Sequence, residues 1–281
     1  MPTVNVRGLD LYYADDDFTD PWSSRERGTV FMQHYFGGTH AEWRGCVPAL
    51  AREYRVIRMD RRGHGQSAKP GFGYEYNVED LLADFVGVLD ALGIDRVHYV
   101  GQMLGGVLGA LFAIAHPERV RSLIIVTSPC YIRDRIIRNF ARPGFADGPS
   151  SVMGLGEWAY AHSARRRPGE GDQDVPDPAT EDMLRAAFLA EQSATMPAHL
   201  RASLMRMVSA PDFNISGVLP SITVPTLLIS PTAPSATDDE EQEFMRKSIP
   251  NCEQLVFEGV ANSWSAPDRL AQACLDFIRK H

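Results

Sequence analysis

The sequence predicts an α/β protein with a doubly wound, mostly parallel sheet and an all-helical segment inserted between two of its strands. Short apolar runs without polar alternation recur along the chain, as in parallel strands that are covered on both faces. Helical periods separate these runs, so strands and helices alternate. The strand pattern stops between residues 131 and 218, which predicts a core at 1–130 and 219–281 around a helical cap at 131–218.

The individual elements follow from the same patterns. Residues 3–7 and 9–14 alternate apolar and polar side chains, which predicts an antiparallel hairpin at a sheet edge. Buried strands are predicted at residues 29–32, 54–59, 97–100, 123–126, 226–229 and 254–257. Helices with one apolar face are predicted in the core at 78–92, 106–116 and 267–280, and in the cap at 131–141, 150–165, 179–192 and 196–209.

Composition and charge argue against several classes of function. The 281 residues carry 28 Lys and Arg against 36 Asp and Glu, a formal net charge of −8, and an acidic chain repels nucleic-acid phosphates and anionic lipid surfaces. We find no signal-peptide pattern, and no apolar run reaches the ~20 residues that span a bilayer. The four cysteines are widely spaced, without a C-x-x-C pair. These observations predict a cytoplasmic protein that binds neither nucleic acid nor membrane, with a homodimer left open.

Four motifs place this chain beside a known family. They are His34-Tyr35-Phe36-Gly37-Gly38 after a strand, the turn at residues 60–67 (DRRGHGQS), the strand-to-helix turn at 100–106 (VGQMLGG), and the helix exit at 116–120 (HPERV). Over nearly its whole length the chain resembles the α/β-hydrolase superfamily, in particular capped members such as enol-lactonases and C–C bond hydrolases. The resemblance implies the α/β-hydrolase fold with a helical cap and a site for a small molecule.

The third motif resembles the family's nucleophile elbow, G-x-S-x-G. There the nucleophile lies on a sharp strand-to-helix turn, and small residues two before and two after it let strand and helix approach closely. Gly101 and Gly105 meet that requirement, but the central residue is Met103. A thioether has no acidic proton and cannot form the acyl-enzyme that serine or cysteine forms.

The other two members of the family's Ser–acid–His triad are also replaced. The histidine that follows the last strand corresponds to Asn262, which cannot take up a proton near neutral pH. The acid position after the penultimate strand is held by Pro234 or Ala233. An alternative acid position, after the strand that precedes the cap, reads Val126-Thr127-Ser128-Pro129 and offers no carboxylate. The sequence therefore predicts that ordinary serine hydrolysis is lost.

Asp238 and Asp239 lie near the vacant acid position. We expect them to cap the helix that follows, because carboxylates are favoured at helix N-termini.

Three residues are candidates for a catalytic role, and each has a structural alternative. Tyr35 stands at the family's oxyanion loop, where a phenol donates to a substrate oxygen or simply fills space. His34 is interpreted more readily as a structural hydrogen-bonding residue. Asn262 either orients a substrate oxygen or is tolerated after loss of the histidine. Candidate substrate-binding residues are Phe36, Gln102, Met103, Leu104 through its backbone N–H, Thr127, Cys130, Ser263 and Trp264.

Three functional hypotheses remain. The first is a cofactor-independent, non-hydrolytic enzyme that acts on a hydrophobic small molecule through oxyanion-type stabilisation. The second is a small-molecule binding protein without turnover, and the third is a hydrolase with relocated catalytic groups, such as Cys130 or His34. The chain has no G-x-G-x-x-G after the first strand, no P-loop and no metal-ligand spacing, so no cofactor or metal is expected.

Overall fold

The computed structural model describes residues 2–20, 22, 28–131, 188, 191–192, 194–210, 213–232, 239–258, 263 and 266–281. Eight strands lie in this part of the chain: β1 (Thr3–Val6), β2 (Leu9–Asp16), β3 (Thr29–Gln33), β4 (Arg55–Met59), β5 (Val97–Gln102), β6 (Val120–Val126), β7 (Thr226–Pro231) and β8 (Cys252–Phe257). They form one sheet in the order β1-β2-β4-β3-β5-β6-β7-β8.

The predicted hairpin and the predicted parallel sheet are both confirmed. β1 pairs with β2 and β2 with β4 in antiparallel fashion. All remaining neighbours, from β4 across to β8, are parallel. The hairpin turns at Arg7 and Gly8, whose φ angles of 52° and 83° match the left-handed backbone that two-residue hairpin loops require.

Helices join the parallel strands. They are α1 (Val47–Leu50), α2 (Val78–Ala91), α3 (Leu104–Ala115), α4 (Ala198–Ser209), α5 (Asp239–Ser248) and α6 (Pro267–Ile278), with 3-10 helices at His40–Trp43, Pro117–Arg119 and Ser216–Ser221. The predicted helices at 78–92, 106–116, 196–209 and 267–280 are confirmed. α5 begins at Asp239, and Asp238, the other residue predicted to cap it, lies outside the described residues. The cap helices predicted at 131–141 and 150–165, and most of the one at 179–192, lie outside the described residues.

Two apolar layers cover the two faces of the sheet, which confirms the doubly wound arrangement. One layer packs α2 and α3 against the sheet, with Phe31, Phe85, Tyr99 and Phe112 in edge-on or tilted ring contacts. The other layer packs α1 and α6 on the opposite face. Leu200 and Leu204 of α4 join the first layer. In the part of the chain that the structure describes, no helix has the length and apolar character needed to cross a membrane.

Candidate functional site

The strand-to-helix turn at Met103 has the predicted elbow geometry. Met103 lies between β5 and α3 with φ 51° and ψ −116°, a region that residues other than glycine rarely adopt. Its N–H donates to the carbonyl of Val126 (3.1 Å), and its own carbonyl accepts from Gly106 and Val107 (3.0 and 3.1 Å). Such strain persists only where the surrounding structure enforces it, which is typical of functional sites. The elbow backbone is therefore present, and it carries a partly exposed thioether.

Two glycines make this elbow possible. A β-carbon on Gly101 would overlap the backbone of Gly105, so the strand and the helix approach here with no room for a side chain. A β-carbon on Gly105 would lie 2.7 Å from the His34 carbonyl oxygen and closer still to that of Gln33. The N-terminus of α3 therefore abuts the backbone that leads into the loop after β3.

Residues 34–36, which we call the β3 loop, have most of their backbone polar groups paired. The His34 carbonyl accepts from Nη1 of Arg61 (2.5 Å), and the Tyr35 carbonyl accepts from Nη2 of Arg61 (2.7 Å). The Tyr35 N–H lies 3.2 and 3.3 Å from the two carboxyl oxygens of Glu42. The Phe36 carbonyl lies 2.8 Å from Nε2 of His64.

The Phe36 N–H differs from the paired groups of the β3 loop. Among the described residues the Phe36 N–H has no acceptor, and the same holds for the Leu104 N–H at the start of α3. Backbone amides are almost always paired when they are buried, so two open ones at neighbouring turns indicate a binding position. They correspond to the backbone donors that the family resemblance implies, because a helix N-terminus and a loop amide together favour a partly negative oxygen.

Both ring nitrogens of His34 face backbone groups. Its Nδ1 lies 2.8 Å from the Tyr35 carbonyl, and its Nε2 accepts from the Arg61 N–H (3.2 Å). These partners fix the neutral tautomer with the proton on Nδ1. Burial, together with the charge of Arg61, holds the pKa of His34 well below its usual value of 6.5. This geometry favours the structural interpretation over a catalytic one, because neither ring nitrogen is left to transfer a proton.

Sequence reasoning missed two charged residues of this site. Glu42 is 3% exposed, and burial raises the pKa of its carboxyl well above the usual value. Arg61 is 1% exposed, and burial lowers the pKa of its guanidinium to about 10. The turn at residues 60–67 was predicted only as a landmark of the fold, with no role for Arg61. Both residues stand in polar stretches of the sequence, at 39–44 and 60–64, so the sequence carries no signal of their burial.

Gln102 and Ser263, two of the predicted substrate-binding residues, contact each other. Both are 1% exposed, and the side-chain oxygen of Gln102 accepts from the Ser263 N–H at 3.0 Å. The carbonyl of Ser263 lies beside Gly45. The hydroxyl of Ser263 has no partner among the described residues. Gln102 thus ties β5 to the segment after β8, at Ser263, the residue that follows Asn262.

Replacing Gln102 by leucine is expected to lower the free energy of unfolding by about 1 to 3 kcal/mol, because it leaves the buried Ser263 N–H without an acceptor. Urea unfolding at neutral pH measures the change. Gln102→Glu is the matched variant, since it keeps an acceptor oxygen at the same distance along the side chain. Equal stability of Gln102→Leu and the unmodified protein would contradict the assigned contact.

The remaining predicted site residues lie in different surroundings. Tyr35 is 9% exposed, and its ring packs beside Gly38. Thr127 lies at the end of β6 with φ 47°, a strained angle for a β-branched residue, and its N–H donates to Ile229 (2.9 Å). Cys130 is 1% exposed within the apolar layer of α2 and α3, a position typical of an inert thiol. Asn262, Trp264 and Pro234 lie outside the described residues.

The described segments contain no group of three His, Cys, Asp or Glu side chains that could hold a metal ion.

The strand order, the elbow at Met103 and the β3 loop together define an α/β-hydrolase-fold protein. A family model described as the alpha/beta hydrolase fold matches residues 28–151. The enol-lactonase from Burkholderia xenovorans LB400 superposes with a TM-score of 0.76 at 22% identity, covering 99% of this chain and 100% of that chain.

Curated relatives match at low identity over most of the chain, or at higher identity over a short part of it. The RutD protein of Stutzerimonas stutzeri, a proposed carbamate hydrolase by its name, is 25% identical over 262 residues, 89% of this chain and 91% of that protein. The 2-hydroxy-6-oxo-2,4-heptadienoate hydrolase of Pseudomonas putida is 45% identical over only 86 residues, 31% of each chain. The relatives are thus named as hydrolases, and the central elbow residue of this chain, Met103, is one that cannot attack an ester.

Proposed function

We propose that this protein is a cofactor-independent, non-hydrolytic enzyme that binds a hydrophobic small molecule and stabilises negative charge on one of its oxygens. The observation that carries the proposal is the elbow: Met103 holds the strained backbone of a nucleophile position, with φ 51°, while its side chain offers no nucleophile. The strained backbone conformation is therefore present although the nucleophilic side chain that it ordinarily presents is absent.

The Phe36 and Leu104 amides supply the chemistry of this proposal. Two open backbone donors stabilise an enolate or a similar oxyanion without any proton transfer, because their dipoles are already oriented. Reactions that pass through such an anion and need no covalent intermediate fit this site. Cyclisation, elimination, decarboxylation and rearrangement belong to this group.

A binding protein without turnover is the second candidate. It is favoured by the state of the two histidines nearest the β3 loop. Both ring nitrogens of His34 and of His64 face backbone groups, at 2.8–3.2 Å. Neither imidazole is placed to carry a proton to or from a ligand.

Ester turnover separates the non-hydrolytic candidates from a hydrolase with relocated groups, the function that the names of the relatives suggest. We expect the purified protein to hydrolyse 4-nitrophenyl acetate and butyrate no faster than the Met103→Ala variant does, because neither has a nucleophile at the elbow. We also expect no labelling by a fluorophosphonate probe. Steady turnover with multiple product equivalents per protein would contradict the proposal, and mass spectrometry of the labelled protein would then locate the relocated nucleophile.

A second experiment separates enzyme from binding protein. The protein is incubated with a library of aromatic and polyketide-like ketones and enols, and both the bound fraction and the free fraction are analysed by mass spectrometry. Conversion of a retained compound supports an enzyme, and Met103→Trp, which fills the elbow, is the matched control. Retention of compounds that are always recovered unchanged favours the binding protein.

A further inference from the structure

Arg61 lies beneath the β3 loop as a buried cation. It is 1% exposed, and its two Nη atoms donate to the carbonyls of His34 and Tyr35. Its Nε has no hydrogen-bond partner within the described segments. Burying a guanidinium is costly unless its charge is matched, so this residue requires an explanation.

No carboxylate in the described part of the chain lies within ion-pair distance of Arg61. Glu42 is close, but both of its oxygens face the Tyr35 N–H, and burial raises the pKa of its carboxyl well above the usual value, which favours the neutral acid. Asp60 is also close, and its oxygens accept from His40 and from the Gln66 N–H. The positive charge of Arg61 therefore has no contact partner of opposite sign in these segments.

The peptide group between Tyr35 and Phe36 connects this charge to the site. A trans peptide is planar, and its C=O and N–H point in opposite directions. Arg61 and Nδ1 of His34 both hold the Tyr35 carbonyl, at 2.7 and 2.8 Å. The Phe36 N–H must therefore point away from Arg61, on the side where it has no acceptor. The dipole of this peptide and the charge behind it both present positive potential at the open amide.

We infer that the site selects an anionic ligand, a carboxylate or an enolate, whose charged oxygen binds between the Phe36 and Leu104 amides. The inference rests on the proposed function and names its ligand class. Arg61 acts as a positioning residue, because it orients the Phe36 amide and supplies positive potential without touching the ligand. The charge that burial leaves unmatched in the empty protein is matched when the anion binds.

Matched pairs of carboxylate and amide test the ligand class. Phenylacetate, 4-phenylbutanoate and octanoate are compared with phenylacetamide, 4-phenylbutanamide and octanamide by calorimetry on the full-length protein. We expect at least one carboxylate to bind roughly ten-fold or more tightly than its amide. Equal affinities within every pair, or no binding by any of the three carboxylates, would overturn the inference.

Amide resonances locate the bound oxygen. In protein labelled with ¹⁵N-phenylalanine and ¹⁵N-leucine, the carboxylate that binds best is expected to shift the Phe36 and Leu104 signals downfield. The neutral amide of the same pair should shift them less. Saturation by the carboxylate without movement of these two signals would place the anion elsewhere and refute the assignment.

Variants of Arg61 test the positioning role. We expect Arg61→Met to lose the preference for the carboxylate to within about two-fold, and Arg61→Lys to keep part of it, while Arg119→Met, which removes the same charge beyond the far end of α3, leaves it unchanged. A folded Arg61→Met protein that still prefers the carboxylate over the amide would refute the positioning role of Arg61. If that variant does not fold, the carboxylate preference of Arg61→Lys and the shifts of the Phe36 and Leu104 amide signals test the positioning role instead. Ester turnover alone would refute the proposed function and leave this preference standing.

Discussion

Replacing Gly105 by alanine is expected to lower the free energy of unfolding by about 2 to 3 kcal/mol and to abolish binding at the open amides. The added β-carbon would meet the carbonyl oxygens of Gln33 and His34, the latter at 2.7 Å. Both are backbone atoms, so no side-chain rotation relieves the overlap, and α3 must move away from the β3 loop. The higher helix propensity of alanine recovers at most about 1 kcal/mol. Because Leu104 precedes Gly105, its amide moves with the helix.

Gly71→Ala is the matched control for this substitution. Gly71 is exposed, and a β-carbon there would find no atom within 4 Å. The same chemical change should therefore alter the stability by no more than about 0.5 kcal/mol. Urea unfolding followed by circular dichroism compares the two proteins. If Gly105→Ala were as stable as Gly71→Ala, the close approach that places the Leu104 amide would be refuted.

Most of the fold could be predicted because its signals are local. Gly101 and Gly105 stand at the two positions where strand and helix leave no space, so their spacing predicts the elbow whatever residue lies between them. The long helices carry a clear apolar period. α1 spans only Val47–Leu50 and is too short to carry one, which is why the sequence did not predict it.

The candidate site was predicted less completely, because its contacts join distant parts of the chain. Arg61 and His34 are 27 residues apart in sequence, yet they share two hydrogen bonds. The hydrogen bond from Ser263 to Gln102 spans 161 residues. No sequence period records such a contact. The motif predicted where the β3 loop lies, and only the structure places a buried cation behind it.

Acid is expected to destabilise this fold from about pH 6.5 downward, because several buried histidines are held neutral. Burial, aided by nearby arginines, lowers the pKa of His64 and of His98 to about 4, and it lowers the pKa of His34 as well. For His64 these effects outweigh its two facing carbonyls, Arg62 and Phe36, which favour the protonated ring. Protonation of His34 would break its hydrogen bond from the Arg61 N–H.

The sign of the effect follows from proton binding. Between the unfolded pKa of about 6.5 and the folded value of about 4, the unfolded chain binds a proton that the folded chain does not. Stability is therefore complete above pH 6.5 and is lost as the pH falls, by up to about 1.4 kcal/mol per pH unit for each histidine. Glu42 and Asp84, whose pKa values burial raises, act in the opposite direction and offset part of the loss.

A comparison with His98→Gln isolates one histidine from these opposing groups. His98 contacts the hydroxyl of Ser122 and the ring of Tyr54, and the charges that act on it come from Arg121, His281 and Arg96. The substitution shifts the free energy of unfolding by an amount that does not depend on pH, and it also removes one titrating group. Between pH 6 and pH 4.5, urea unfolding should show a dependence on pH that is shallower by about 1.4 kcal/mol per unit than in the unmodified protein. If the two curves run parallel, His98 takes up its proton equally in both states, and burial does not hold its imidazole neutral.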